Sequence, residues 1–282
     1  MIHLHRVPRV VALLVAITAI ACASSKSPED ATGAKPTARA SRSGDKADTE
    51  QQRSEAQRRA RMQYELGVDH LQNDRSPQAV AALLEAQRWD ASSERTELAL
   101  AEAYRQQGRL AEAELHLKRA LALKPRFHQA ALNLAALYIQ TERYEEAVPQ
   151  LESLLDDPTF AGPWRALTNL GWAEYRLGRM DDAYRHLSLA VDYRPQHWPA
   201  RFNLAILEAE RGNRAAAIQH FQQVLEQKPG PLAEAEVRFR LAEQLESSGD
   251  RQGARRQLTT ASDLQPSGPW SRRSAEYLKT LQ

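Results

Sequence analysis

The 282 residues are 42% hydrophobic and 26% charged, with 6% aromatics and a formal charge of +2, a composition that supports a sizeable folded core. Arg6 and Arg9 lie in a leader expected to be removed, which brings basic and acidic residues to parity, so the charge points to no nucleic-acid partner. Within these residues the single cysteine, Cys22, has no second thiol with which to form a disulfide.

Residues 1–21 read as a signal peptide. Arg6 and Arg9 precede an apolar run from Val10 to Ile20 that is too short for a stable membrane span. Ala19-Ile20-Ala21-Cys22 then resembles a bacterial lipobox, in which the cysteine is diacylated and becomes the new N-terminus, with Ala19 standing where that motif prefers Leu. The alternative is an ordinary signal peptide cut after Ala21. Two or more acyl chains on Cys22 would anchor the protein stably, and this covalent lipid is the only non-protein group expected. Ala23, where enteric inner-membrane lipoproteins carry aspartate, favours the outer membrane. Residues 22–59 show no apolar periodicity and read as a disordered tether with a reach of roughly 30 Å. Arg53, Arg58, Arg59 and Arg61 read as a solvated helix start rather than as a headgroup-binding patch.

From about residue 60 the chain repeats. Leu-small pairs recur as Leu66-Gly67, Leu100-Ala101, Leu134-Ala135, Leu170-Gly171, Leu204-Ala205 and Leu241-Ala242. An alanine follows each pair as Ala79, Ala113, Ala147, Ala183, Ala217 and Ala254. Four residues on, and therefore on the same helical face, come Leu83, Leu117, Leu151, Leu187, Phe221 and Leu258. This is the spacing of a 34-residue helix–turn–helix unit of the tetratricopeptide (TPR) type. The predicted fold is all-α: a superhelical solenoid of six such units, at about 60–93, 94–127, 128–161, 164–197, 198–231 and 235–268, closed by a capping helix over 269–282. Ala275, Leu278 and Leu281 are the apolar side of that helix. Small residues sit where paired helices cross, Gly178 takes a left-handed turn, and Pro195 stops a second helix. Pro149 should bend the second helix of the third unit, and the stretch from Asp156 to Pro163 replaces the usual tight link.

First helices of such units face a concave groove. The candidate partner-binding residues are Leu132, Asn133, Ala136 and Ile139 in the third unit, Thr168, Asn169, Trp172 and Tyr175 in the fourth, and Phe202, Asn203 and Ile206 in the fifth. An apolar and aromatic centre with charged flanks suits a protein partner, and a ladder of asparagine amides can donate to and accept from a peptide backbone. The alternative is that these side chains are covered. If they are free, Trp172→Ala or Tyr175→Ala should weaken binding by about 2 kcal/mol with little effect on the fold.

No phosphate loop, zinc-protease helix or serine elbow is present. The histidines lack metal spacing, and His116, His186 and His220 read as solvated or half-buried packing residues, so no catalytic site and no metal are expected. The lipobox, the tether, the repeat count and the segment from Asp156 to Ala183, DDPTFAGPWRALTNLGWAEYRLGRMDDA, resemble the type IV pilus pilotin lipoproteins of the PilF/PilW group, including their myxobacterial Tgl-like members. That resemblance implies a non-enzymatic lipoprotein on the periplasmic face of the outer membrane, with Cys22 acylated, that binds secretin subunits and promotes their assembly and localisation; a monomer is expected. A general periplasmic TPR scaffold is the alternative.

Overall fold

The computed structural model describes residues 43–264 and 266–281; the leader, Cys22 and the first part of the tether lie outside them. The described residues form thirteen helices and no strand: α1 (Ser43–Gln72), α2 (Ser76–Trp89), α3 (Glu94–Gln106), α4 (Leu110–Leu123), α5 (His128–Gln140), α6 (Tyr144–Leu155), α7 (Pro163–Arg176), α8 (Met180–Tyr193), α9 (Trp198–Glu210), α10 (Arg214–Glu226), α11 (Pro231–Ser247), α12 (Arg251–Leu264) and α13 (Pro269–Thr280). They divide into two compact units, one ending at Leu137 and one beginning at Tyr138.

In the first unit α1 pairs with α2 and α3 with α4, and α3 packs back on α2. Ala79 and Ala113 have no exposed surface, and Leu83 and Leu117 lie beside them in the core. Gly67 marks the closest approach, since a Cβ there would meet the Leu83 side chain at 2.5 Å. Leu66 departs from the expected pattern, being 45% exposed. At the equivalent position in the second unit, Leu204 packs on Ala183 and Leu187 of the preceding hairpin, and no described helix precedes α1. The tether assignment is corrected as well, because α1 begins at Ser43, inside the segment expected to be unstructured. Good helix formers continue to its end, and pairs one turn apart, Arg59–Glu55 at 2.5 Å and Arg61–Glu65 at 2.8 Å, support it weakly. Arg59 also stacks on Trp89 at 4.7 Å, so it is not simply a solvated cation.

In the second unit α6 packs on α7, which pairs with α8; α9 pairs with α10 and α11 with α12. Ala147, Ala183, Ala217 and Ala254 are fully buried, as are Leu151, Leu187 and Leu258, with Phe221 filling the larger space of the fifth repeat. Gly171 is required by contact: a Cβ would stand 2.7 Å from Leu187 Cγ and 3.1 Å from the Ala183 carbonyl. Gly178 closes the turn after α7 at φ +79°, a conformation that costs an L-residue about 1 kcal/mol or more. Pro149 lies exposed within α6, which runs on past it to Leu155. Residues 232–234, which fall between the fifth and sixth expected units, form no loop. They extend α11 at its N-terminus, with Pro231 in the first helical position, where its missing N–H costs nothing.

The last helix docks through a residue that the apolar pattern alone did not single out. Trp270 is 7% exposed and joins Ala235, Phe239, Ala242, Ala254 and Leu258 in one cluster, with Leu278 and Leu281 at its edge. Ala275, expected on the buried side, is exposed.

Candidate functional site

Each first helix turns a different stripe to its own hairpin and to the next helix, and the candidate residues fall mostly on covered stripes. In the first unit Leu132 and Ala136 are buried and Asn133 is half-buried. In the second, Ile139, Thr168, Asn169, Trp172, Phe202, Asn203 and Ile206 are buried, and only Tyr175 keeps partial exposure. The expectation of a freely exposed apolar groove is therefore corrected. Phe202 is the plainest case: it has no exposed surface and meets Phe221 of α10 edge-on at 5.9 Å, inside its own hairpin. Its role is packing.

The fourth repeat brings the remaining candidates together. Thr168 donates its hydroxyl to the Trp164 carbonyl at 2.6 Å, satisfying itself within the helix. Trp172 lies 5.2 Å from Tyr175, ring to ring. Arg176 covers the same indole at 5.9 Å, stacks on Tyr144 at 4.8 Å and reaches Glu142 at 3.6 Å. Between these aromatic residues and the start of α7 lies Asn169, 3% exposed, whose Nδ2 has no acceptor among the described residues. Leaving such a donor unpaired costs about 1–3 kcal/mol.

Further along the second unit the accessible lining is charged. Arg240 donates through Nε to Glu236 at 3.0 Å and stacks on Trp270 at 5.3 Å. Arg273 lies over Trp270 at 4.6 Å and over Phe239 at 5.0 Å. Burial raises the Glu236 and Glu243 carboxyls above their ordinary range, against the opposing pull of Arg240 and Arg273. The two arginines, stacked on Trp270, help to fix α13 in place.

Sequence reasoning missed two polar pairs that join the helices of a hairpin. His116 Nδ1 meets Glu97 Oε2 at 2.7 Å with both side chains buried, and Tyr104 stacks on the imidazole at 5.2 Å. His186 Nδ1 meets Glu174 Oε2 at 2.6 Å in the fourth repeat. The recurrence of histidine three residues after the crossing alanine at 116, 186 and 220 was the available signal, but its partners come from different positions of the first helix. Burial raises the Glu97 carboxyl, yet hydrogen bonds with His116 and Gln87, aided by the positive fields of His116 and Arg119, hold it below the ordinary value. Among the described residues no cluster suits a metal ion, and no helix is long and apolar enough to cross a membrane.

The hairpins, their crossing alanines and the glycine turns define an all-α tetratricopeptide-repeat protein. Tetratricopeptide-repeat models match residues 104–170 and 168–230. Among solved structures the chain is similar to PilF of Pseudomonas aeruginosa, at 20% identity and a TM-score of 0.66 over 80% of this chain and 99% of that one. It is similar also to PilW, described as a widely conserved type IV pilus biogenesis factor, at 21% identity and a TM-score of 0.68 over 77% of this chain and 98% of that one. A chain of the APC/C Cut9–Hcn1 hetero-tetramer gives a TM-score of 0.67 at 18% identity, over 84% of this chain and 44% of that one. What is shared at these identities is the fold. No curated protein matches the sequence.

Proposed function

We propose that this chain is a pilotin: a lipoprotein, acylated at Cys22 and held at the periplasmic face of the outer membrane, that binds secretin subunits and promotes their assembly as the exit channel of a type IV pilus. The observation that supports this most is the extent of the structural match, which takes in 99% of the PilF chain and 98% of the PilW chain rather than a pair of generic hairpins. No catalytic step is proposed.

The docking face we assign is the accessible edge of α7. There a partner's apolar side chain settles against the half-buried Tyr175, beside Trp172. The lipid contributes local concentration: a partner inserted in the same membrane meets the groove as a tethered neighbour.

Deleting the gene and running envelope proteins on an unheated gel tests the reading. The denaturant-resistant secretin multimer is expected to disappear, to return with the wild-type chain, and to fail to return at the outer membrane with Cys22→Ala. An unchanged multimer would make the protein a general envelope scaffold with other partners.

A further inference from the structure

The long joint before α7 and the turn before α9 bring together basic groups that no acid answers. Arg165, in the first turn of α7, and Arg194, after α8, both lie against the indole of Trp164, with guanidinium carbons 5.7 and 4.7 Å from its centroid. Among the described residues neither has an ion-pair partner. His197 belongs to the same turn, its N–H donating to the Arg194 carbonyl at 2.9 Å, and its Nε2 is buried without a hydrogen bond. Burial, reinforced by the positive fields of Arg165 and Arg194, lowers His197 to about 4, so it stays neutral at physiological pH. Among the described residues no carboxylate pairs with either arginine. Of the joint's two acids, Asp156 caps the end of α6, and Asp157 is engaged by the Thr159 N–H at 2.9 Å and the Thr159 hydroxyl at 2.7 Å.

Two side chains tie the turn to the next hairpin: the Pro195 carbonyl accepts from Gln227 Nε2 at 3.0 Å and from Arg201 at 3.5 Å, and Arg201 brings a further cation that has no acidic partner among the described residues. Two guanidinium groups fixed on one ring keep their planar N–H edges free for an oxyanion at little entropic cost. We propose that Trp164, Arg165 and Arg194 form the seat for a carboxylate carried by the docked protein segment, an extension that rests on the docking face assigned to α7. Arg165, Asn169 and Trp172 share one stripe of that helix, spaced by four and three residues. Arg165 and Trp172 are thus about 10 Å apart along the axis. An extended segment covers that span in about three residues, so its Asp or Glu stands about three residues from the apolar side chain that meets the aromatic pair. Charge complementarity selects an acidic segment and rejects a basic one.

Two measurements on the folded chain test this separately from the groove. In the first, the Nε–Hε signals of Arg165 and Arg194 are followed by NMR during titration with N-acetylglutamate and, in parallel, inorganic phosphate and phosphatidylglycerol vesicles. Saturable shifts with the carboxylate, absent in Arg165→Gln/Arg194→Gln, are expected. No saturable shift, or a preference for phosphate or vesicles, would overturn the assignment. The second uses a short peptide with one Phe and, three residues away, either Glu or Gln. The Glu peptide should bind at least about tenfold more tightly, and the double variant should erase only that difference. Equal binding of the two peptides would overturn the carboxylate seat and leave the groove standing. Binding of neither peptide, with the N-acetylglutamate shifts intact, would overturn the groove and leave the seat.

Discussion

Gly171 and Gly178 do different work although they lie only seven residues apart. Gly171→Ala drives a methyl into Leu187 and the Ala183 carbonyl, so despite the better helix propensity of alanine we expect a loss of about 1–3 kcal/mol in urea unfolding. Gly178→Ala meets nothing within 4 Å and should lose only the left-handed penalty of about 1 kcal/mol. Trp172, at 7% exposure, now belongs to the core. Trp172→Ala is therefore expected to cost about 3–5 kcal/mol of stability by thermal or chemical unfolding, and it reports on binding only once folding has been checked. Glu97 supplies a pH signature. Burial pushes its carboxyl up, but the hydrogen bonds with His116 and Gln87 hold it below the ordinary carboxylate range in the folded state, so its contribution is present above the ordinary value and is lost as the pH falls through the lower, folded one. Unfolding curves from pH 7 to 3 should show this loss in the wild type and a flatter profile in Glu97→Gln.

At the scale of the helix, the crossing alanines and the leucines behind them were legible because they obey one helical period and one repeat length. Every one of those positions is buried. What one helix touches on another was not legible. Phe202 read as a groove residue because its partner, Phe221, arrives from α10, and the Glu97–His116 pair joins helices through positions with no common repeat spacing. Leu66 shows the converse, a seam residue left open because no described helix covers it. The same logic explains α13, whose anchor is Trp270 rather than Ala275. Trp270→Ala should destabilise the second unit by about 3 kcal/mol or more, and hydrogen exchange should then rise first in α13, α11 and α12. Uniform exchange across the unit would contradict an independently docked cap.

For the whole molecule, the repeats specify a fold that serves many partners, and the sites that distinguish this chain are few: an aromatic pair on α7, a basic seat at the head of that helix and, outside the described residues, Cys22. Of these, the cysteine and the aromatic pair were legible as residue types in a motif. The seat was not, because Trp164 and Arg165 meet Arg194 and His197 only across the fold. The central claim is that the α7 face holds the secretin, and the most direct measurement is photocrosslinking in living cells with a benzoylphenylalanine placed at Tyr175 and, as a control, at the exposed Tyr193. The account predicts a secretin adduct from position 175 and none from position 193. A secretin adduct from 193 alone, or adducts at 175 only with unrelated envelope proteins, would contradict it.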